Sequence, residues 1–227
     1  MLHSMPVYKT KNENFFKTWT PEMAYVLGFF TADGYMIHTK RGGYYVCFEI
    51  TDYEVLSKIK NALAPNNKIS ERNRPFPWKK LYRLQIGSRV MYEDLSSLGF
   101  HDGKSLTIRF PQVPNIYLRD FIRGYFDGDG CVHFGNYQRK NRRDRKLQLS
   151  IHFTSGSKIF LEELWKKLKP IIKGGHISEK ERGYELVFGQ HDSIALFHFM
   201  YDNSSELFLE RKYEKFRFAF KELNMRA

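Results

Sequence analysis

Two aspartates stand in matching contexts. Asp33 lies near the end of "VLGFFTADG" (26–34) and Asp129 near the end of "IRGYFDGDG" (122–130), 96 residues further on. Laid over one another, Gly28 meets Gly124, Phe30 meets Phe126, Ala32 meets Gly128 and Gly34 meets Gly130. Two carboxylates held close repel and resist joint ionisation. A divalent cation relieves that conflict. Oxygen-only ligands suit magnesium, which keeps waters and completes its shell with phosphate oxygens. Paired metals can activate a water and stabilise the leaving oxygen of a phosphodiester. Other readings of the acid–glycine pattern stand beside this one. A calcium loop fails, because Cys131 occupies a ligand position. A carboxylate pair also serves glycoside hydrolysis, and a capped helix end accounts for either aspartate taken alone.

The elements that must position these residues follow from the glycines. Gly28 and Ala32 are four apart, as are Gly124 and Gly128, and four apart on a helix means one face. Glycine inside a helix costs about 1 kcal/mol relative to alanine. A bare face that recurs in register therefore suggests close backbone contact, most simply of one helix with the other. The alternative is two helices packed separately on their own sheets. Mutual contact brings Asp33 and Asp129 side by side.

The first helix has Thr20 as its N-cap, Pro21 at its first position and Gly34 as a C-terminal glycine. Strands follow at 35–40 and 44–51, a helix at 52–63, a hairpin at 68–72 and 80–87, and a helix at 88–98. The second half reads helix 115–128, strands 131–138 and 146–154, helix 157–169, strands 176–180 and 184–189, and helices from 191 onward. Thr51 aligns with Thr154, Ile69 with Ile177 and Leu84 with Leu186. Each half closes on a lysine in a basic and apolar stretch, Lys104 and Lys212. The class is α+β, with halves at 1–112 and 113–227 joined near "FPQVPN".

The chain has 227 residues and 37 Lys and Arg against 25 Asp and Glu, a formal charge of +12. That balance suits a polyanionic partner, nucleic acid foremost, and equally describes a soluble protein with a basic surface. Cys47 and Cys131 form no ligand spacing for structural zinc. The first residues lack a secretory apolar core, and no apolar run reaches the length of a membrane span. An intracellular, soluble protein is expected.

The two motifs, the longer phrase "NIYLRDFIRGYFDGDGCV" and the "KSLTIRFPQVP" before it, resemble the LAGLIDADG homing endonucleases over nearly the whole chain. The resemblance implies two pseudo-symmetric αββαββα halves, with the motif helices packed at the centre through Gly28, Ala32, Gly124 and Gly128. Curved antiparallel sheets form a DNA-binding saddle. It implies a monomer, without an obligate protein partner, that cuts both strands of a long specific duplex site and leaves short 3′ overhangs. Magnesium (or manganese) is the expected cofactor, at Asp33 and Asp129 with Ala32 and Gly128 beside them. Lys104 and Lys212 match the basic residues near each active site, and Asp52 and Ser155 the polar residues that contact metal-bound water. One position departs between halves, Thr31 against Asp127; Asp127 reads as structural or as an exposed polar residue. A non-cleaving protein of the same fold, an RNA maturase or transcription regulator, is the alternative, and a carboxylate hydrolase of small substrates a third reading.

Alternate residues of a strand share a face. In half one Tyr35, Ile37, Thr39 and Arg41 are expected on the DNA face, continued by Tyr45, Cys47 and Glu49 and by Ser70, Arg72, Arg74 and Arg83. In half two the expected set is His133, Lys146, Gln148, Ser150 and His152, with Ser178, Lys180, Arg182 and Glu185. Arginine and glutamine suit base edges and lysine phosphates. The run "QRKNRRDRK" (138–146), with Arg139, Arg142 and Arg143, reads as a backbone clamp or as a solvated loop.

Overall fold

The structure, a computed structural model, describes residues 10–64, 66–138, 145–204 and 207–225. Helix α1 (Pro21–Asp33) starts where expected: the Thr20 hydroxyl accepts from the Met23 amide at 3.0 Å and proline takes the first turn. Strands β1 (Gly34–His38) and β2 (Tyr44–Ile50), helix α2 (Tyr53–Leu63), strands β3 (Ile69–Arg72) and β4 (Leu81–Gly87) and helix α3 (Arg89–Ser97) complete the first half. The second half repeats the order. It comprises α4 (Leu118–Asp129), β5 (Gly130–Gln138), β6 (Arg145–Ser155), α5 (Lys158–Leu168), β7 (His176–Lys180), β8 (Gly183–Phe188) and α6 (Gln190–Tyr201). A further helix, α7 (Glu210–Glu222), follows.

Each half builds a four-stranded antiparallel sheet, in the orders β1-β2-β4-β3 and β5-β6-β8-β7. Alternation assigns the faces. Met36, Val46, Phe48, Ile50, Leu84 and Ile86 are buried beneath helices, as are Val132, Leu149, Ile151, Phe153, Leu186 and Phe188. The opposite faces carry the alternates, mixed in character: Ile37 stands among Tyr35, Tyr45 and Glu49, and Cys47, expected on the DNA face, is wholly buried. The two curved sheets form a saddle. Register pairs Tyr35 with Cys47, Ile37 with Tyr45 and Glu49 with Arg83, so the expected face of half one holds across three strands.

The motif helices touch through backbone. A Cβ at Gly28 would fall 2.0 Å from the Phe121 carbonyl oxygen, and one at Gly124 2.0 Å from that of Tyr25. Those partners are themselves 96 residues apart, so the contact has the two-fold character of the repeat. One at Gly128 would fall 2.3 Å from the Ala32 side chain. The separate packing of two helices is thereby excluded.

Gly34 and Gly130 act differently from a C-terminal glycine in the left-handed region. Their backbones are extended, with φ of −94° in both. Space is the reason for glycine: a Cβ would fall 2.1 Å from the Phe30 ring and 2.2 Å from the Phe126 ring. Strand β1 also stops at His38, short of the expected residue 40. The Thr39 hydroxyl instead accepts from the Gly43 amide at 2.9 Å and closes the hairpin turn.

Candidate active site

Asp33 and Asp129 are the last residues of α1 and α4, so the glycine contact sets their carboxylates at the foot of the helix pair. Gly128 is bare there, and its missing Cβ would lie 3.1 Å from Asp33 Oδ2. Asp33 is pushed up to about 7, first by burial and then by the charge of Asp129. Asp129 is also raised, by burial. Burial, with mutual repulsion for Asp33, disfavours the charged form of each carboxylate.

The two lysines are each 4% exposed and reach the same place. Lys104 stands on a short 3₁₀ turn (Lys104–Leu106) that Gly103 opens with φ of +72°, a conformation glycine permits. Its Nζ donates to the Thr31 carbonyl at 2.8 Å and lies over the Phe30 ring. Lys212, on α7, donates to the Phe126 and Asp127 carbonyls at 2.6 and 2.8 Å and lies over the Phe126 ring. Thr31 and Asp127, like Phe30 and Phe126, are repeat equivalents. Each ammonium therefore caps the carbonyl end of its own motif helix, where the helix dipole is negative. Burial lowers both lysines to about 8, against the pull of the acids. Lys104 feels Asp129 more than Asp33, whereas Lys212 feels Asp127 of its own half first and then Asp33 ahead of Asp129. The charges thus interlock across the two halves.

Asp127 is fully buried, which removes the exposed alternative. It accepts from the Tyr25 hydroxyl at 2.8 Å, the Leu209 amide at 2.8 Å and the Tyr201 hydroxyl at 3.3 Å. Leu209 caps α7, so this carboxylate fixes the helix that delivers Lys212. Its equivalent, Thr31, donates back to the Leu27 carbonyl at 2.7 Å, and in half one the lysine stands on the Gly103 turn instead. Arg123, which drew no notice in the sequence, is wholly buried and donates to Leu207 O, Met200 O and Asp120 Oδ1. It too holds the approach to α7. Position 27 is leucine, so the repeat gives no signal for it.

Asp52 and Ser155 are not equivalents. Register pairs Gly34 with Phe48 and Gly130 with Phe153, so Asp52 corresponds to Ser157, and each precedes a helix. Strand-length differences had shifted the alignment by two. Asp52 is held by Arg211 through two bonds of 3.0 and 2.9 Å and raises Asp33 slightly through its charge. The Ser155 hydroxyl accepts from the Ser157 amide.

Of the proposed nucleic-acid contacts, Tyr35, Ile37, Tyr45, Glu49, Ser70, Arg72 and Arg83 share the open face of sheet one. Some are engaged already: Tyr35 donates to Glu49, and the Arg83 guanidinium lies over Tyr35 and beside Cys47. His133, Lys146, Gln148 and His152 share the open face of sheet two. Ser150 is on that face but 7% exposed, with its hydroxyl 3.2 Å from His152 Nε2. Thr39 and Arg41 leave the strand face for the turn, and Arg74 lies in the β3–β4 connection bonded to Lys79 O and over Trp78. Lys180 ends β7, paired with Glu185, and Arg182 follows in the turn. A cleft beside Asp129 is lined by Ser155, Lys180 and Arg182. Arg139, Arg142 and Arg143 lie outside the described residues. Among the described residues no helix is long and apolar enough to cross a membrane.

Comparison with known proteins agrees with this geometry. The profile of the LAGLIDADG-like domain matches twice, at residues 20–97 and 117–197. The uncharacterized protein MJ0398 of Methanocaldococcus jannaschii is 26% identical over 89% of this chain, which spans 66% of that relative. The structure is similar to that of the homing endonuclease I-WcaI bound to its DNA recognition sequence, with TM-score 0.60, 14% identity and coverage of 94% and 95% of the two chains. It is also similar to the LAGLIDADG meganuclease I-AabMI bound to uncleaved DNA, with TM-score 0.60, 14% identity and coverage of 91% and 92%.

Proposed function

The chain belongs to the LAGLIDADG-like domain family, and on that premise we propose that it is a monomeric, site-specific double-stranded DNA endonuclease dependent on a divalent metal. The observation that carries this reading is the convergence of Asp33 and Asp129 between two buried lysines, at the foot of the interface that joins the two open sheet faces. Duplex DNA lies along those faces. Arg72, Arg83, Lys146 and Gln148 are placed to meet its grooves and phosphates.

The donor set fits a hard cation. Two carboxylates raised above their usual range sit side by side at the helix ends and offer oxygen donors. Asp33 and Asp129 would hold magnesium or manganese, with Ala32 and Gly128 adjoining. Bound there, the ion supplies water activation and charge neutralisation at the phosphodiester. The chain's own part is electrostatic. The Lys104 and Lys212 ammonium groups, fixed on helix-end carbonyls, need little reorganisation to face charge developing on a scissile phosphate. With values near 8, either Nζ can hold or release a proton at working pH. Two sites in one chain, one per strand, give cleavage of both strands with short 3′ overhangs and need no second copy.

The test is selection of a target from a randomised duplex library, followed by incubation with Mg²⁺ and mapping of the ends. Staggered double-strand cuts at one site support the proposal. Tight binding without any cut assigns the chain to nucleic-acid binding alone, as a maturase or regulator would behave.

A further inference from the structure

We propose that the open face of the second sheet carries a separate transition-metal site made by His133, His152 and Glu185. The three stand on adjacent strands β5, β6 and β8 in a diagonal stripe, and one ligand atom from each lies within 4.8 Å of the others. The His133 and His152 rings are 4.1 Å apart between centroids. His152 Nδ1 and Glu185 Oε1 are 2.9 Å apart.

Two details point to a shared third partner rather than a simple ion pair. First, His152 Nδ1 is buried and makes no hydrogen bond of acceptable geometry despite that short distance. A carboxylate oxygen close to the ring nitrogen but off its bonding axis is how two ligands of one ion stand. Second, the outer partners are already in place. Ser150 Oγ lies 3.2 Å from His152 Nε2 and turns Nδ1 toward Glu185, while Lys180 Nζ holds Glu185 Oε2 at 2.8 Å and leaves Oε1 on the His152 side. Metal–ligand bonds of about 2.0–2.2 Å place tetrahedral donors about 3.3 Å apart, so a modest rotamer adjustment closes the group.

The chemistry selects the ion. Two imidazoles and one carboxylate suit Zn²⁺ and its first-row neighbours, and leave at least one open position. A hard ion such as Mg²⁺ asks for an oxygen shell and is disfavoured by two imidazole donors. The fold does not demand this set. Register places Ile37, Cys47 and Arg83 at the three equivalent positions of half one. Loaded, the site cross-links three strands of the second sheet and presents a fixed divalent charge, with an open position, on the face of the saddle. The site is independent of the nuclease reading.

The experiment uses Zn²⁺ in competition with a chromophoric chelator. It compares the full chain with a version carrying Asp33→Asn and Asp129→Asn, which removes the motif carboxylates. One Zn²⁺ per chain is expected in both. His133→Ala or His152→Ala abolishes that equivalent, and Ser150→Ala weakens it about 10- to 100-fold. Zn²⁺ raises the melting temperature of the parent and not of the histidine variants, whose circular dichroism matches the parent. Co²⁺ in its place gives visible absorption without thiolate bands. The proposal is overturned if no stoichiometric Zn²⁺ binds, if binding survives loss of both histidines, or if thiolate bands move ligation to a cysteine.

Discussion

Asp33→Asn should make the metal-free protein more stable while removing its chemistry. The rise of Asp33 from 3.8 to about 7 corresponds to about 4 kcal/mol, at about 1.36 kcal/mol per pH unit. The carboxylate keeps partial solvent contact, and screening reduces the usable figure to about 2 kcal/mol. The sign follows from linkage. The folded value lies above the unfolded one, so the native state binds the extra proton between them. Stability is therefore greatest below about pH 4 and falls as pH rises through about 7. Asparagine mimics the protonated acid at every pH. In EDTA near pH 8, the variant should melt about 4–8 °C above the parent, taking about 2–4 °C per kcal/mol for a chain of this size. Near pH 4.5 the gain should shrink to a fraction of that. Adding Mg²⁺ should stabilise the parent and leave the variant little changed. Equal melting at pH 8, or an equal gain at both pH values, would refute an electrostatically strained carboxylate pair.

The remaining expectations concern the supports of that pair. Gly28→Ala gains about 1 kcal/mol of helix propensity but drives a methyl into the Phe121 carbonyl, so urea denaturation should show a net loss of about 3 kcal/mol or more. Asp127→Ala strips the acceptor from Tyr25, Tyr201 and Leu209, and should cost about 3–5 kcal/mol in the same assay. It should also lower cleavage beyond that loss, because α7 and Lys212 shift. Mg²⁺ binding near pH 7 should release protons, since Asp33 is part-protonated there; calorimetry in buffers of different ionisation heat should detect it, and zero release would contradict the raised value.

Much of this arrangement could be read in the sequence because the chain states it twice. The repeat of small residues at a spacing of four placed α1 against α4, and the shared acid at the ends brought Asp33 and Asp129 to the foot of that contact. Periodicity of two assigned the strand faces wherever strands persist, but not exposure, since Cys47 and Ser150 on those faces are buried; it failed at Thr39 and Arg41, where a hydroxyl–amide bond ends the strand early. The loss came where the halves diverge. Asp127 aligns with a threonine, and nothing local shows that it anchors the start of α7 some 80 residues later. Arg123 has no equivalent, and its burial depends on three carbonyl and carboxylate acceptors gathered only by the fold. Asp52 and Ser155 were matched by neighbouring threonines, whereas strand register pairs Asp52 with Ser157. The His133–His152–Glu185 group spans three strands and becomes visible only when register brings them together.

The central claim is that Asp33 and Asp129, side by side at the helix ends, form two adjoining metal-dependent sites, one for each DNA strand. The most direct measurement is cleavage of a selected duplex by the parent, Asp33→Asn and Asp129→Asn in Mg²⁺, with binding followed in parallel. The account predicts staggered double-strand cuts by the parent, and little or no double-strand cutting by either variant at near-parental affinity. Full cleavage by either variant would contradict it.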